Sequence, residues 1–107
     1  MPGLANAYAA TKAALASLAP SLSRELIGRG IRVNAISPGV VDTPLYDKLG
    51  IPAEYHTNAM EGIRLGIPLG RLGTTNEIAK AVVFLASDES AFAVGSDFVI
   101  DGGGATL

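Results

Sequence analysis

Apolar positions at helical spacing open the chain. From about Ala7 to Leu26 the sequence is dense in alanine and leucine, with Leu15, Leu18, Leu22 and Leu26 recurring three and four residues apart. This predicts a helix with one apolar stripe. Asn6 is the expected N-cap, and Ala9, Ala10, Ala13 and Ala14 keep the first half slim enough for a close neighbour. Pro20 removes a backbone donor from the interior, so a bend or a shifted boundary is expected there. Gly28 and Gly30 supply the stop. The period then changes to two: Ile31, Val33, Ala35 and Ser37 lie on one side of the pattern, which reads as a strand closed by Pro38-Gly39. From Val40 to Gly73 the pattern is irregular, with Pro44, Pro52 and Pro68, and leaves room for one or two short helices between Pro52 and Leu65. Thr74 stands three residues before Glu77, a capping box, and Ile78, Ala79, Val82, Val83 and Ala86 place an apolar face on the helix it starts. That helix is expected to end near Ser87–Ser90. Ser96–Asp101 reads as a last strand, closed by Gly102-Gly103-Gly104.

The order is thus helix, strand, long loop, helix, strand. A strand, a helix and a second strand form a βαβ unit, which requires a parallel sheet. Parallel sheets are covered on both faces and flanked by further strands, so two strands imply part of a larger α/β domain. Composition does not alter this. The chain has 107 residues, 49% hydrophobic and 17% charged, which is globular and at most one domain. A net charge of −2 and scattered arginines argue against nucleic-acid binding. There is no cysteine, which removes disulfides and thiolate metal sites. No apolar run is long enough to span a membrane, and the first residues have no basic-then-apolar signal pattern; a cytoplasmic protein is expected. His56 stands alone as a ligand candidate, and Asp42, Asp47 and Glu54 show no metal-ligand spacing, so no metal site is expected.

One spacing carries chemistry. Tyr8 and Lys12 are separated by four residues, one turn apart on a single helical face. A phenol is a poor base near neutral pH, and a neighbouring cation favours its phenolate. Such a pair can serve as a general acid/base, although a surface pair on a helix has the same spacing.

The surrounding residues resolve that choice by resemblance. Tyr8-Ala9-Ala10-Thr11-Lys12-Ala13-Ala14-Leu15 and Gly30-Ile31-Arg32-Val33-Asn34-Ala35-Ile36-Ser37-Pro38-Gly39 resemble the short-chain dehydrogenase/reductase family. So do Asp42-Thr43-Pro44, then Leu69-Gly70-Arg71-Leu72-Gly73 leading into Glu77-Ile78-Ala79, and Val99-Ile100-Asp101-Gly102-Gly103. The five segments occur in family order and span the whole chain. The resemblance implies an NAD(P)-dependent oxidoreductase that reduces a carbonyl or oxidises an alcohol of a small-molecule substrate. Tyr8 is then the catalytic acid/base, and Lys12 is the cation that favours its phenolate and bonds the nicotinamide ribose. Pro38, Gly39, the Val41 amide and the Thr43 hydroxyl are the nicotinamide contacts. Residues 44–73 correspond to the substrate loop, with Leu45, Tyr46, Leu49, Ile51, Tyr55, Met60 and Ile63 as an apolar lid or as ordinary loop packing.

The family's glycine-rich pyrophosphate loop has no counterpart in this sequence, nor do the serine and asparagine that complete its catalytic set. Residues 1–107 are therefore expected to be the C-terminal catalytic and substrate-binding half of a Rossmann-type doubly wound parallel sheet, without the nucleotide-binding half. As an isolated polypeptide it is expected to be inactive and to form homo-oligomers through uncovered apolar faces and the open strand edge at Ile31–Ser37. A non-catalytic remnant that serves as an oligomerising or binding module is the alternative.

Overall fold

The computed structural model describes residues 2–44, 50 and 52–107. The proposed lid residues Leu45, Tyr46, Leu49 and Ile51 lie outside them. The elements in order are α1 (Pro2–Leu26), a 3-10 turn (Ile27–Arg29), β1 (Ala35–Pro38), α2 (Ala53–Leu65), α3 (Thr75–Ala86), a 3-10 turn (Asp88–Ser90) and β2 (Asp97–Ile100). β1 and β2 form a two-stranded sheet. The Ala35 amide donates to Ser96 and the Gly39 amide to Ile100, so residue numbers rise together along both strands and the pairing is parallel. The chain divides into two compact units, Met1–Ser37 with Phe84–Phe98, and Pro38–Val83 with Val99–Leu107.

In the first unit, α1 runs unbroken through Pro20. The helix is already formed at Pro2, so Asn6 is an interior residue and not its N-cap. Gly30 closes the following 3-10 turn at φ 73°, returning its N–H to the Ile27 carbonyl. The covered face of α1 shares only Leu26 with the leucine stripe. Ala19 and Ser23 are buried and Ala16 and Leu26 half-buried, whereas Leu15, Leu18 and Leu22 are exposed. Small residues win that face because the neighbouring backbone comes close. Ser23 Oγ donates to the Val33 carbonyl at 2.8 Å, and a side chain on Gly95 would begin 3.3 Å from Pro20 Cα.

A second anchor of this unit is Arg32. Its guanidinium donates to the carbonyls of Leu85 (3.4 Å), Ser87 (3.0 Å), Ser90 (2.9 Å) and Ala93 (3.1 Å). Asn34 works beside it, donating to the Ala93 carbonyl at 3.0 Å and accepting from the Ser96 amide at 3.0 Å. Phe84 and Phe98 meet edge to face, with ring centroids 6.4 Å apart.

In the second unit the expected short helices are one helix, α2, on which His56 is half-buried. The capping box forms as the spacing requires: the Glu77 amide donates to Thr74 Oγ1 at 3.1 Å and the Thr74 amide to Glu77 Oε1 at 2.9 Å. The covered side of α3 is turned from the expected one. Ile78, Ala81 and Leu85 are half-buried, while Val82 and Val83 are exposed.

Candidate active-site residues

Tyr8 and Lys12 share α1. At about 100° per residue their positions fall in line with Ala19, Ser23 and Leu26, but at this end of the helix both side chains are exposed. Tyr8 is 66% exposed. The Lys12 ammonium lies 5.5 Å from the centroid of the Tyr8 ring, a cation held over the aromatic face. The structure therefore brings the two predicted groups together.

Pro38, the last residue of β1, and Gly39, Val41 and Thr43 after it belong to the second unit. Their arrangement comes from two flanking segments. On one side the Gly39 amide donates to the Ile100 carbonyl at 2.9 Å. A Cβ on Gly39 would lie 2.7 Å from Asp101 Cβ and 2.8 Å from its Cα, so only glycine permits this approach. On the other side Val41 pairs in parallel with Gly73. The Gly73 amide donates to Val40 at 3.0 Å and the Asp42 amide to Gly73 at 2.8 Å.

Alternate residues of an extended chain face opposite edges. Val40 and Asp42 spend their groups on Gly73, so the Val41 N–H faces the edge that Gly39 uses toward β2. But β2 has ended. Its chain turns at Asp101, whose carboxylate accepts from the Gly103 amide at 2.9 Å and the Ala105 amide at 2.8 Å. Gly102 and Gly103 take φ of 64° and 93° there. The next rung of the ladder is consequently open, and the Val41 amide has no hydrogen-bond partner among the described residues. Thr43 stands two residues further on, exposed.

An open main-chain donor followed by a hydroxyl fits a primary carboxamide, which offers one acceptor and two donors. The nicotinamide end of a dinucleotide thus finds suitable groups here. Its phosphates do not, because no glycine-rich turn opens a helix in this sequence.

Sequence reasoning missed an ion pair beside Gly73. Arg71 forms a two-pronged ion pair with Glu77, Nη1 to Oε1 at 2.8 Å and Nη2 to Oε2 at 2.9 Å. Glu77 is held down to about 2, chiefly by that guanidinium and next by the Thr74 amide. The same contact raises Arg71 above its ordinary value. The signal was an arginine six residues before Glu77, just outside the span a capping box covers. No helix among the described residues is long and apolar enough to cross a membrane.

Known proteins place this architecture. A family model described as Enoyl-(Acyl carrier protein) reductase matches residues 1–105. The 3-oxoacyl-(acyl-carrier-protein) reductase FabG of Thermotoga maritima is 44% identical over 102 residues, covering 95% of this chain and 39% of the relative. The 2,3-dihydro-2,3-dihydroxybenzoate dehydrogenase of Escherichia coli is 42% identical over 102 residues, covering 92% of this chain and 41% of that protein. Among solved structures, a short chain dehydrogenase family protein from Francisella tularensis superposes with a TM-score of 0.81 at 38% identity, over 94% of this chain and 44% of that one. A short-chain dehydrogenase/reductase of unknown function from Caenorhabditis elegans, solved with cofactor, gives 0.81 at 34% identity, over 94% and 38%. The chain spans about two fifths of the length of these relatives, and its α/β fold with a small parallel sheet matches the C-terminal part of their Rossmann domains. It belongs to the short-chain dehydrogenase/reductase family.

Proposed function

We propose that residues 1–107 are the catalytic and substrate half of an NAD(P)-dependent oxidoreductase that interconverts a small-molecule alcohol and its carbonyl compound. The observation that carries this reading is the open rung at Val41 at the carboxyl end of β1, where open α/β sheets take their ligands. Its support from relatives is that they are named reductases and dehydrogenases. NAD or NADP, when bound, supplies hydride transfer. The chain's own part is to hold and to move protons. The Val41 amide and the Thr43 hydroxyl bond the carboxamide, with Pro38 and Gly39 shaping the turn. Tyr8 gives its phenolic proton to the carbonyl oxygen during reduction, or takes the alcohol proton during oxidation. Lys12, whose ammonium lies over the Tyr8 ring, bonds the ribose. Residues 44–73 form the substrate side. A chain without cysteine suits the reducing cytoplasm.

Alone, the 107-residue polypeptide gives no turnover, because it has no pyrophosphate cradle and lacks two members of the family's catalytic set. The test is a chimera in which these residues replace the matching stretch of the Thermotoga maritima relative. The chimera oxidises NAD(P)H with a carbonyl substrate, and Tyr8→Phe in it lowers kcat by about 10²-fold or more with cofactor affinity retained. A folded chimera that binds cofactor but shows no Tyr8-dependent turnover would sink the reading. A second reading, a non-catalytic oligomerising module, draws on the exposed Leu15, Leu18 and Leu22 of α1.

A further inference from the structure

The Val41 amide stays at the open rung only while Val40 and Asp42 remain paired with Gly73. Gly73 lies in a loop between α2 and α3, outside any regular element, so something else must hold it. The Arg71–Glu77 pair bonds both of its chain neighbours. Besides gripping Glu77, Arg71 Nη1 donates to the Leu72 carbonyl at 3.0 Å. Glu77 Oε1 accepts from both the Thr74 amide, at 2.9 Å, and the Thr74 hydroxyl, at 3.1 Å. Leu72 and Thr74 are therefore tied to one ion pair, with Gly73 between them.

A helix start requires only the Thr74–Glu77 exchange, and Arg71 adds to it without serving the helix. As a stabiliser the pair is weak, since its side chains are 52% and 42% exposed and such pairs contribute little. As a restraint it is strong, because a two-pronged guanidinium–carboxylate contact fixes orientation as well as distance.

We propose that Arg71 and Glu77 are positioning residues that brace the Leu72–Thr74 loop so that Gly73 presents the Val41 amide to the nicotinamide carboxamide. This rests on the nicotinamide reading above. It assigns two residues outside the turn a share in cofactor affinity.

The test uses the 15N-labelled chain, with amide exchange and a titration with nicotinamide mononucleotide read at the Val41 cross-peak. Arg71→Ala and Glu77→Gln each speed exchange of the Gly73 and Asp42 amides by about tenfold or more. Each also raises the half-saturating nucleotide concentration by about fivefold or more. Arg71→Lys, which keeps the charge but not the fork, recovers part of both. The Ala35 and Gly95 amides, bonded within the other unit, keep their rates and report that the variants are folded; Glu77→Gln is nearly isosteric should Arg71→Ala unfold. Unchanged exchange at Gly73 and Asp42 overturns the proposal, and so does faster exchange with unchanged nucleotide affinity. If the parent's Val41 cross-peak ignores the nucleotide, the nicotinamide reading fails, and the bracing role is then decided by the exchange rates alone.

Discussion

Glu77 titrates far from its ordinary 4.5 although it lies at the surface, because Arg71 and the Thr74 amide both bond its charged form. Its folded value, about 2, lies below its unfolded one. The charged carboxylate therefore adds stability that is fully present above about 4.5 and is lost as pH falls through about 2. Solvent screening keeps the amount small. Glu77→Gln is expected to lower the thermal midpoint at neutral pH, with the gap to the parent closing between pH 4.5 and 2; a gap unchanged at pH 2 would show that charge is not its source. Here the sequence was legible in part. Thr74 and Glu77 declared themselves by local spacing, since a capping box depends only on residues three apart. Arg71 did not, because its reach to Glu77 depends on how the loop at Leu72 and Gly73 folds back.

Between single residues and the whole chain, elements are fastened by polar groups more than by apolar ones. α3 has no basic residue in its last turn, so the cation that its carbonyl end favours comes from elsewhere in the sequence. Arg32 provides it, reaching Leu85 and Ser87 and continuing to Ser90 and Ala93. Hydrogen bonds from a half-buried charge are worth more than neutral ones. Arg32→Ala is expected to cost about 2–3 kcal/mol, read as a lowered urea midpoint with an unchanged slope. Arg32→Lys recovers little, because three ammonium donors on a flexible stem cannot match a planar fork. A loss below about 0.5 kcal/mol for the alanine variant would mean that the turn at Asp88–Ser90 is held by its own bonds. In the sequence Arg32 is one basic residue on a short strand, with nothing local to mark it. α1 shows the complementary limit. Periodicity finds its leucine stripe but not the rest of the covered side, since the partner is a close backbone that admits the small Ala19 and Ser23.

Across the molecule, large apolar side chains remain in contact with water. Val83 is 68% exposed and Phe92 fully so, and Ala19 is the one buried hydrophobic residue among those described. The parallel βαβ order visible in the sequence anticipated this, because two strands cannot cover their own faces. The relatives, more than twice as long, have further chain to do so. Exposed patches of this kind promote association. We expect the isolated chain to sediment as dimers or larger species at micromolar concentration, and Leu18→Lys with Leu22→Lys to shift it toward monomer. A parent that sediments as a monomer would argue that these faces carry no partner. The order of elements and the Tyr8–Lys12 pairing could be read from the chain, since both follow from spacing. The Val41 amide is reached through family resemblance alone, because the geometry of its rung depends on where a distant strand stops.

That rung has an implication for how the turn can vary. Recognition through a main-chain N–H tolerates any side chain but proline's at that position, and it depends on counting. Insert or delete one residue between Gly39 and Val41, and alternation swings the amide toward Gly73 and hands the open edge to its neighbour. On the proposed reading, a one-residue insertion or deletion in this stretch is expected to abolish carboxamide binding, whereas conservative substitutions at Val40 and Val41 leave the amide in place.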